Sequence, residues 1–102
     1  LINSRVLPDN IEPCSGFRLA IVDAVHISAS NGLGTRTHPI INTAMIGAFA
    51  RVLEKPPLDM IAAAIKNDIH IKVKQNVSAA QQAYEDVNLY GIVEHNGILT
   101  SK

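Results

Sequence analysis

The sequence has no tryptophan, and aromatic residues make up only 4% of its 102 positions. That excludes a core built on stacked rings, so any core must be aliphatic, drawn from Ile, Val, Leu and Ala. Cysteine occurs once, at Cys14. A single thiol cannot close an internal disulfide, and a reduced, cytoplasmic setting is the simplest account. Charge is scarce as well: 18% of residues, with nine basic and nine acidic side chains cancelling. With no basic run, the electrostatic footprint of a nucleic-acid binder is missing. No polybasic or lipidation signal marks a membrane surface. No signal peptide is visible. No apolar stretch reaches the roughly 20 residues that a bilayer-spanning helix needs.

What remains is rich in aliphatic residues, with 47% of positions hydrophobic. The length suits one domain. A domain of this size buries about two-thirds of its unfolded surface, which leaves apolar surface for a partner to cover. The chain opens on Leu1 instead of Met, with Ile2, Val6 and Leu7 close behind. That start reads as mid-fold, a piece of a longer protein.

The longest apolar run is His38 to Glu54. Pro39 suits the first position of a helix, with φ preset and no N–H left over. Thr37 or His38 then caps it, threonine being the better acceptor for an early N–H. Pro56 and Pro57 end it. Ile41, Ala44, Met45, Ala48 and Val52 fall on one side, and Ile40, Ile46, Phe49, Ala50 and Leu53 cover most of the rest. A helix apolar nearly all round is expected to be buried on more than one face.

Elsewhere the signals are local. Pro8-Asp9-Asn10 marks a turn. Phe17 to Val22 reads as a buried strand. Asp23 caps a short helix that stops at Asn31-Gly32. Pro57 to Asn67 is a second helix, with Leu58, Ile61, Ala62 and Ile65 on one face. Asp68 to Lys74 alternates apolar and polar residues, and reads as an edge strand or as an extended connection. Gln75 to Tyr90 is a third helix, with Val77, Ala80, Tyr84 and Val87 as its stripe and Gly91 as its stop. Residues 92–102 form a tail in which Asn96-Gly97 could close a small hairpin. The expected class is α/β, helix-rich, with one or two short strands.

The chemistry on offer is thin. Gly34, Thr35, Arg36 and Thr37 combine a free backbone, hydroxyls, a guanidinium and a following helix start, the physical recipe for an anion site. The spacing matches neither GxGxxG nor a P-loop, and the plainer reading is a glycine-rich connection. His26, His38, His70 and His95 form no metal-ligand spacing, so no metal site is expected. Ser15 lies outside any nucleophile motif, and Cys14 has no base beside it. The scattered carboxylates suggest no acid/base pair, so no catalytic residue is expected.

Two stretches go further. Asn42, Ile46, Gly47 and Ala48 resemble the Asn-x-x-x-[Leu/Ile]-Gly-Ala motif in the gamma subunit or domain of the 2-oxoacid:ferredoxin oxidoreductases, the pyruvate and 2-oxoglutarate synthases among them. Lys74, Gln75 and Asn76, with Ala79, Ala80 and Tyr84, resemble that family's closing Lys-x-Asn…Ala-x-x-x-x-Tyr helix. The strand and short helix over Leu19 to Ala29, and the helix over Leu58 to Ile65, come in the matching order. The resemblance implies the C-terminal half of a Rossmann-like gamma domain over residues 1–91, followed by the 92–102 tail. The family's Gly-rich strand–turn–helix opening has no counterpart here.

By that resemblance the whole enzyme oxidatively decarboxylates a 2-oxoacid to acyl-coenzyme A and CO2. It uses thiamine diphosphate and passes electrons through iron–sulfur clusters to ferredoxin. The implied partners are alpha, beta and cluster-bearing subunits, with ferredoxin reached indirectly and a homodimer possible in isolation. No cofactor is expected on this chain, since cluster ligation needs several thiolates. Asn42 is expected as a satisfied amide within a buried helix, and Gly47 as a point of close approach. The alternative is a stand-alone helical module that associates with itself.

Overall fold

The structure, a computed structural model, describes residues 1–34 and 40–94. Strand β1 (Ile2–Asn3) is followed by a short 3-10 turn at Glu12–Cys14 and by strand β2 (Arg18–Val22). Helices α1 (Ala24–Ser30), α2 (Asn42–Leu53), α3 (Leu58–Asp68) and α4 (Val73–Asp86) come next, and strand β3 (Asn88–Ile92) ends the described elements. The class is mixed α/β, with three strands where one or two were expected. In the sheet β2 is central, parallel to β1 and antiparallel to β3.

Strand β2 is buried on both faces, as its unbroken apolar run predicts. Ala20 and Val22 join Ala24, Ile27, Ala44, Ala48, Ala79 and Ala83 in the core beneath the helices. Leu19 and Ile21 face the other way, onto Ile11 and Val93. Asp23 caps α1, its carboxylate accepting from the His26 N–H at 3.1 Å. Gly32, at φ 71°, turns the chain out of α1, and the Leu33 N–H closes that end on the Ser28 carbonyl at 2.8 Å.

The largest helix pair is α2 with α4. It is built from small residues: Ala44, Gly47 and Ala48 on α2, and Ala79, Ala80 and Ala83 on α4. A Cβ built on Gly47 would come within 2.8 Å of the Ala80 Cα and closer still to that residue's carbonyl group. The backbones therefore meet there with nothing between them. Of the expected stripe, Val77, Ala80 and Tyr84 pack on another neighbour, against Ile61 and Ile65 of α3, whereas Val87 joins the core with Ala20 and Val22. Helix α4 is thus gripped on two flanks.

Three expectations need correction. Helix α2 starts at Asn42 and not at Pro39, with Ile41 at its cap position and no capping side chain; Thr37, His38 and Pro39 lie outside the described residues. It is also not buried all round, because Ile46, Phe49 and Leu53 are each about half exposed. Of the two readings of the alternating stretch, the connection is the one observed: it runs between the end of α3 at Asp68 and the start of α4 at Val73, with Ile69 half-buried, Ile71 76% exposed and Lys72 at φ 53°. The third predicted helix ends four residues early, at Asp86, and the chain becomes β3. Gly91 does not stop a helix. It sits in the strand where pairing shifts between Ala20–Leu89 and Arg18–Ile92, and glycine inside a strand commonly marks such a bulge. Strand β3 runs across the expected boundary at 91/92, and residues 95–102, with the expected hairpin turn, lie outside the described residues.

The Gly47 contact yields a prediction with opposing terms. Alanine is the better helix former by about 1 kcal/mol, but its Cβ would meet backbone, which cannot move aside. Overpacking of this kind typically costs about 1–3 kcal/mol. Gly47→Ala should therefore lower the denaturant midpoint, and an unchanged or raised midpoint would show that the helices are not in contact there.

Candidate functional site

The first candidate is the end of the molecule where α2 and α4 begin. Thr43 and Asn76 are both buried and lie across the helix pair. The Thr43 hydroxyl donates to Asn76 Oδ1 at 2.9 Å. Asn76 Nδ2 donates to the Lys72 carbonyl at 2.9 Å, just before α4. Lys72 Nζ in turn donates to the Gly32 carbonyl at 2.7 Å. One asparagine therefore ties the two helix starts together, and one lysine ties both to the turn that leads into Gly34.

Gly34, at φ 74°, is described, while Thr35, Arg36 and Thr37 lie outside the described residues. Around the described part, two helix N-termini and the exposed Lys72 and Lys74 make the end locally positive. Asn42 does not play the part expected of it. It is exposed at the first position of α2, and the buried amide that must find partners is that of Asn76. Sequence reasoning placed Asn76 within a motif without assigning it this role. The fixed Lys-x-Asn ahead of an alanine-rich helix was the available signal.

The second candidate is the outer side of α2. Ile46, Phe49 and Leu53 recur at i, i+3 and i+7, the spacing of one helix face, and all three are exposed. Two apolar grooves flank Ile46. One, of about 280 Å³, is lined by Leu1, Met45, Phe49 and Pro56 among others. The other, of about 200 Å³, runs along Ile61, Ala64 and Ile65 of α3. The described residues bring together no group of three His, Cys, Asp or Glu side chains, and none of their helices is long and apolar enough to cross a membrane.

No family model matches the chain. Pyruvate synthase subunit PorC of Methanothermobacter thermautotrophicus is 36% identical over 66 residues, covering 62% of this chain and 37% of that protein. The crystal structure of the pyruvate oxidoreductase subunit PORC of Thermotoga maritima superposes with a TM-score of 0.70 at 26% identity, over 85% of this chain and 49% of that one. In sequence and in fold the chain is similar to these subunits of pyruvate synthase and pyruvate oxidoreductase, as the resemblance to the gamma subunits implied. It spans about half the length of the solved relative, and less of the curated one.

Within this chain the motif residues divide by direction. Gly47 and Ala48 point into the α2–α4 contact, whereas Asn42 and Ile46 are exposed. Half of the motif builds the fold and half faces outward.

The Asn76 junction can be tested by a double-mutant cycle. Asn76→Ala leaves the Thr43 hydroxyl without its partner, while the Lys72 carbonyl keeps the backbone N–H of residue 76; a buried orphan of this kind costs about 1–3 kcal/mol. With Thr43→Val already present, the additional loss on Asn76→Ala should shrink by about 0.5–1.5 kcal/mol, the usual worth of one hydrogen bond. Additive losses in denaturation would mean that the two side chains do not interact.

Proposed function

We propose that this chain is a non-catalytic portion of the gamma unit of a pyruvate-type 2-oxoacid:ferredoxin oxidoreductase, and that its work is assembly. The observation that supports this reading most strongly is the superposition on a pyruvate oxidoreductase subunit over 85% of the chain. The whole enzyme would convert a 2-oxoacid and coenzyme A to acyl-coenzyme A and CO2, with thiamine diphosphate and iron–sulfur clusters carried by alpha, beta and cluster-bearing partners in the cytoplasm. The chain's own residues do not fit a cluster. Cys14 is its one thiolate source, and a cluster needs several. No step of the reaction is therefore assigned to this chain.

Gly34, Thr35, Arg36 and Thr37 are proposed as contacts for an anionic group, coenzyme A being the anionic reactant of such an enzyme. The positive end formed by the starts of α2 and α4 supports that placement. In the assembled enzyme, Arg36→Ala should raise KM for coenzyme A and leave kcat unchanged, the pattern of lost ground-state binding. Unchanged KM would remove the loop from the coenzyme A path.

The broader reading is tested by purifying the tagged native protein from its own cells and assaying pyruvate oxidation with ferredoxin. Co-purification of thiamine-binding and cluster-bearing chains, with activity, is the expected result. Recovery of a lone self-associated chain would contradict it and favour the helical module.

A further inference from the structure

A pocket of about 260 Å³ opens between the last turn of α2 and the β2–β3 pair. The sheet irregularity at Gly91 lies on its wall. Pairing shifts there between Ala20–Leu89 and Arg18–Ile92, and Gly91, buried and without a side chain, leaves bare backbone facing the space. A glycine inside a strand often marks the place where a ligand comes close to the backbone, and bulges recur beside active sites. Val52 and Leu89 supply apolar wall, and both pack on the core beneath the helices. Arg18 of β2, Arg51 of α2 and Glu54 just beyond α2 supply the charge.

Among the described residues neither guanidinium has a carboxylate partner, and Glu54 pairs with neither. Arg51 rests instead beside a ring, its guanidinium carbon 5.9 Å from the centroid of Tyr84 on α4. Such a contact restrains the side chain and leaves its N–H groups for another acceptor. Charge and size then select the ligand. Two arginines against one glutamate give the lining one net positive charge, which suits a monoanion better than the dianion of a phosphate monoester. Arginine's planar fork matches a carboxylate through two parallel hydrogen bonds. The apolar wall offers nothing to a bare inorganic anion, and the volume lies just below the roughly 300–1,000 Å³ of pockets for drug-sized ligands. We propose that this pocket binds a small organic monocarboxylate, its carboxylate held by Arg18 and Arg51 and its hydrocarbon tail laid against Val52 and Leu89. The pocket lies at the end of α2, whereas Gly34 to Thr37 precede its start in the chain, so the two sets of anion contacts are tested separately.

The test uses the tagged native protein, with the chains that accompany it, and hexanoate as the probe. Saturation-transfer NMR titrations follow hexanoate, hexan-1-ol as the tail without the charge, and acetate as the charge without the tail. Hexanoate should saturate, and the other two should bind at least about tenfold more weakly, the usual worth of a charge-assisted hydrogen bond. Arg18→Gln and Arg51→Gln should each weaken hexanoate by about the same factor, while Lys66→Gln, exposed on α3, should leave it unchanged. Arg18 is exposed, so its replacement spares the fold and decides the matter if the Arg51 variant, which also loses the Tyr84 contact, does not accumulate. No saturable hexanoate signal would overturn the proposal. Hexan-1-ol or acetate binding as tightly as hexanoate would overturn it too, and so would a hexanoate affinity unmoved by either arginine replacement.

Discussion

The close approach of α2 and α4 at Gly47 and Ala80 is the constraint on which the other contacts depend. With small residues on both sides, Ala44, Ala48, Ala79 and Ala83 can all be fully buried. That closeness also brings Thr43 within hydrogen-bond reach of Asn76. Asn76 then holds the start of α4 through the Lys72 carbonyl, and Lys72 holds the turn after α1. A longer side chain at position 47 would push the helices apart and loosen each of these links together. Core packing and the polar junction are therefore not independent sources of stability here.

Using small residues inside has a consequence outside. The large aliphatic and aromatic side chains of α2 are not needed in the α2–α4 contact, and Ile46, Phe49 and Leu53 are left on the surface. Scattered exposed apolar residues are common in monomers. Here they form a single helical stripe beside two grooves.

Much of the fold was legible wherever the signal was local. The apolar run ending at Val22, the Asp23 cap, the Asn31-Gly32 stop and the Ile61–Ile65 spacing all depend on neighbours within a few residues, and each maps onto an observed element. Strand β3 was not legible. Its partner lies about seventy residues earlier in β2, and Gly91 serves equally as a helix stop or as a bulge. The two-sidedness of α2 was hidden for a different reason: periodicity shows which residues share a face but not whether anything covers it. Asn42 and Asn76 look alike in sequence, and only the α2–α4 packing decides which one is buried. The resemblance to the gamma units, in contrast, was carried by Asn42, Ile46, Gly47 and Ala48 and held up.

The most direct test of the account is a structure of the assembled enzyme by electron cryomicroscopy. It predicts that Gly47 abuts Ala80 as here and that Asn76 meets Thr43 across the starts of α2 and α4. An assembly in which α2 and α4 stand apart at Gly47, with Asn76 out of reach of Thr43, would contradict it.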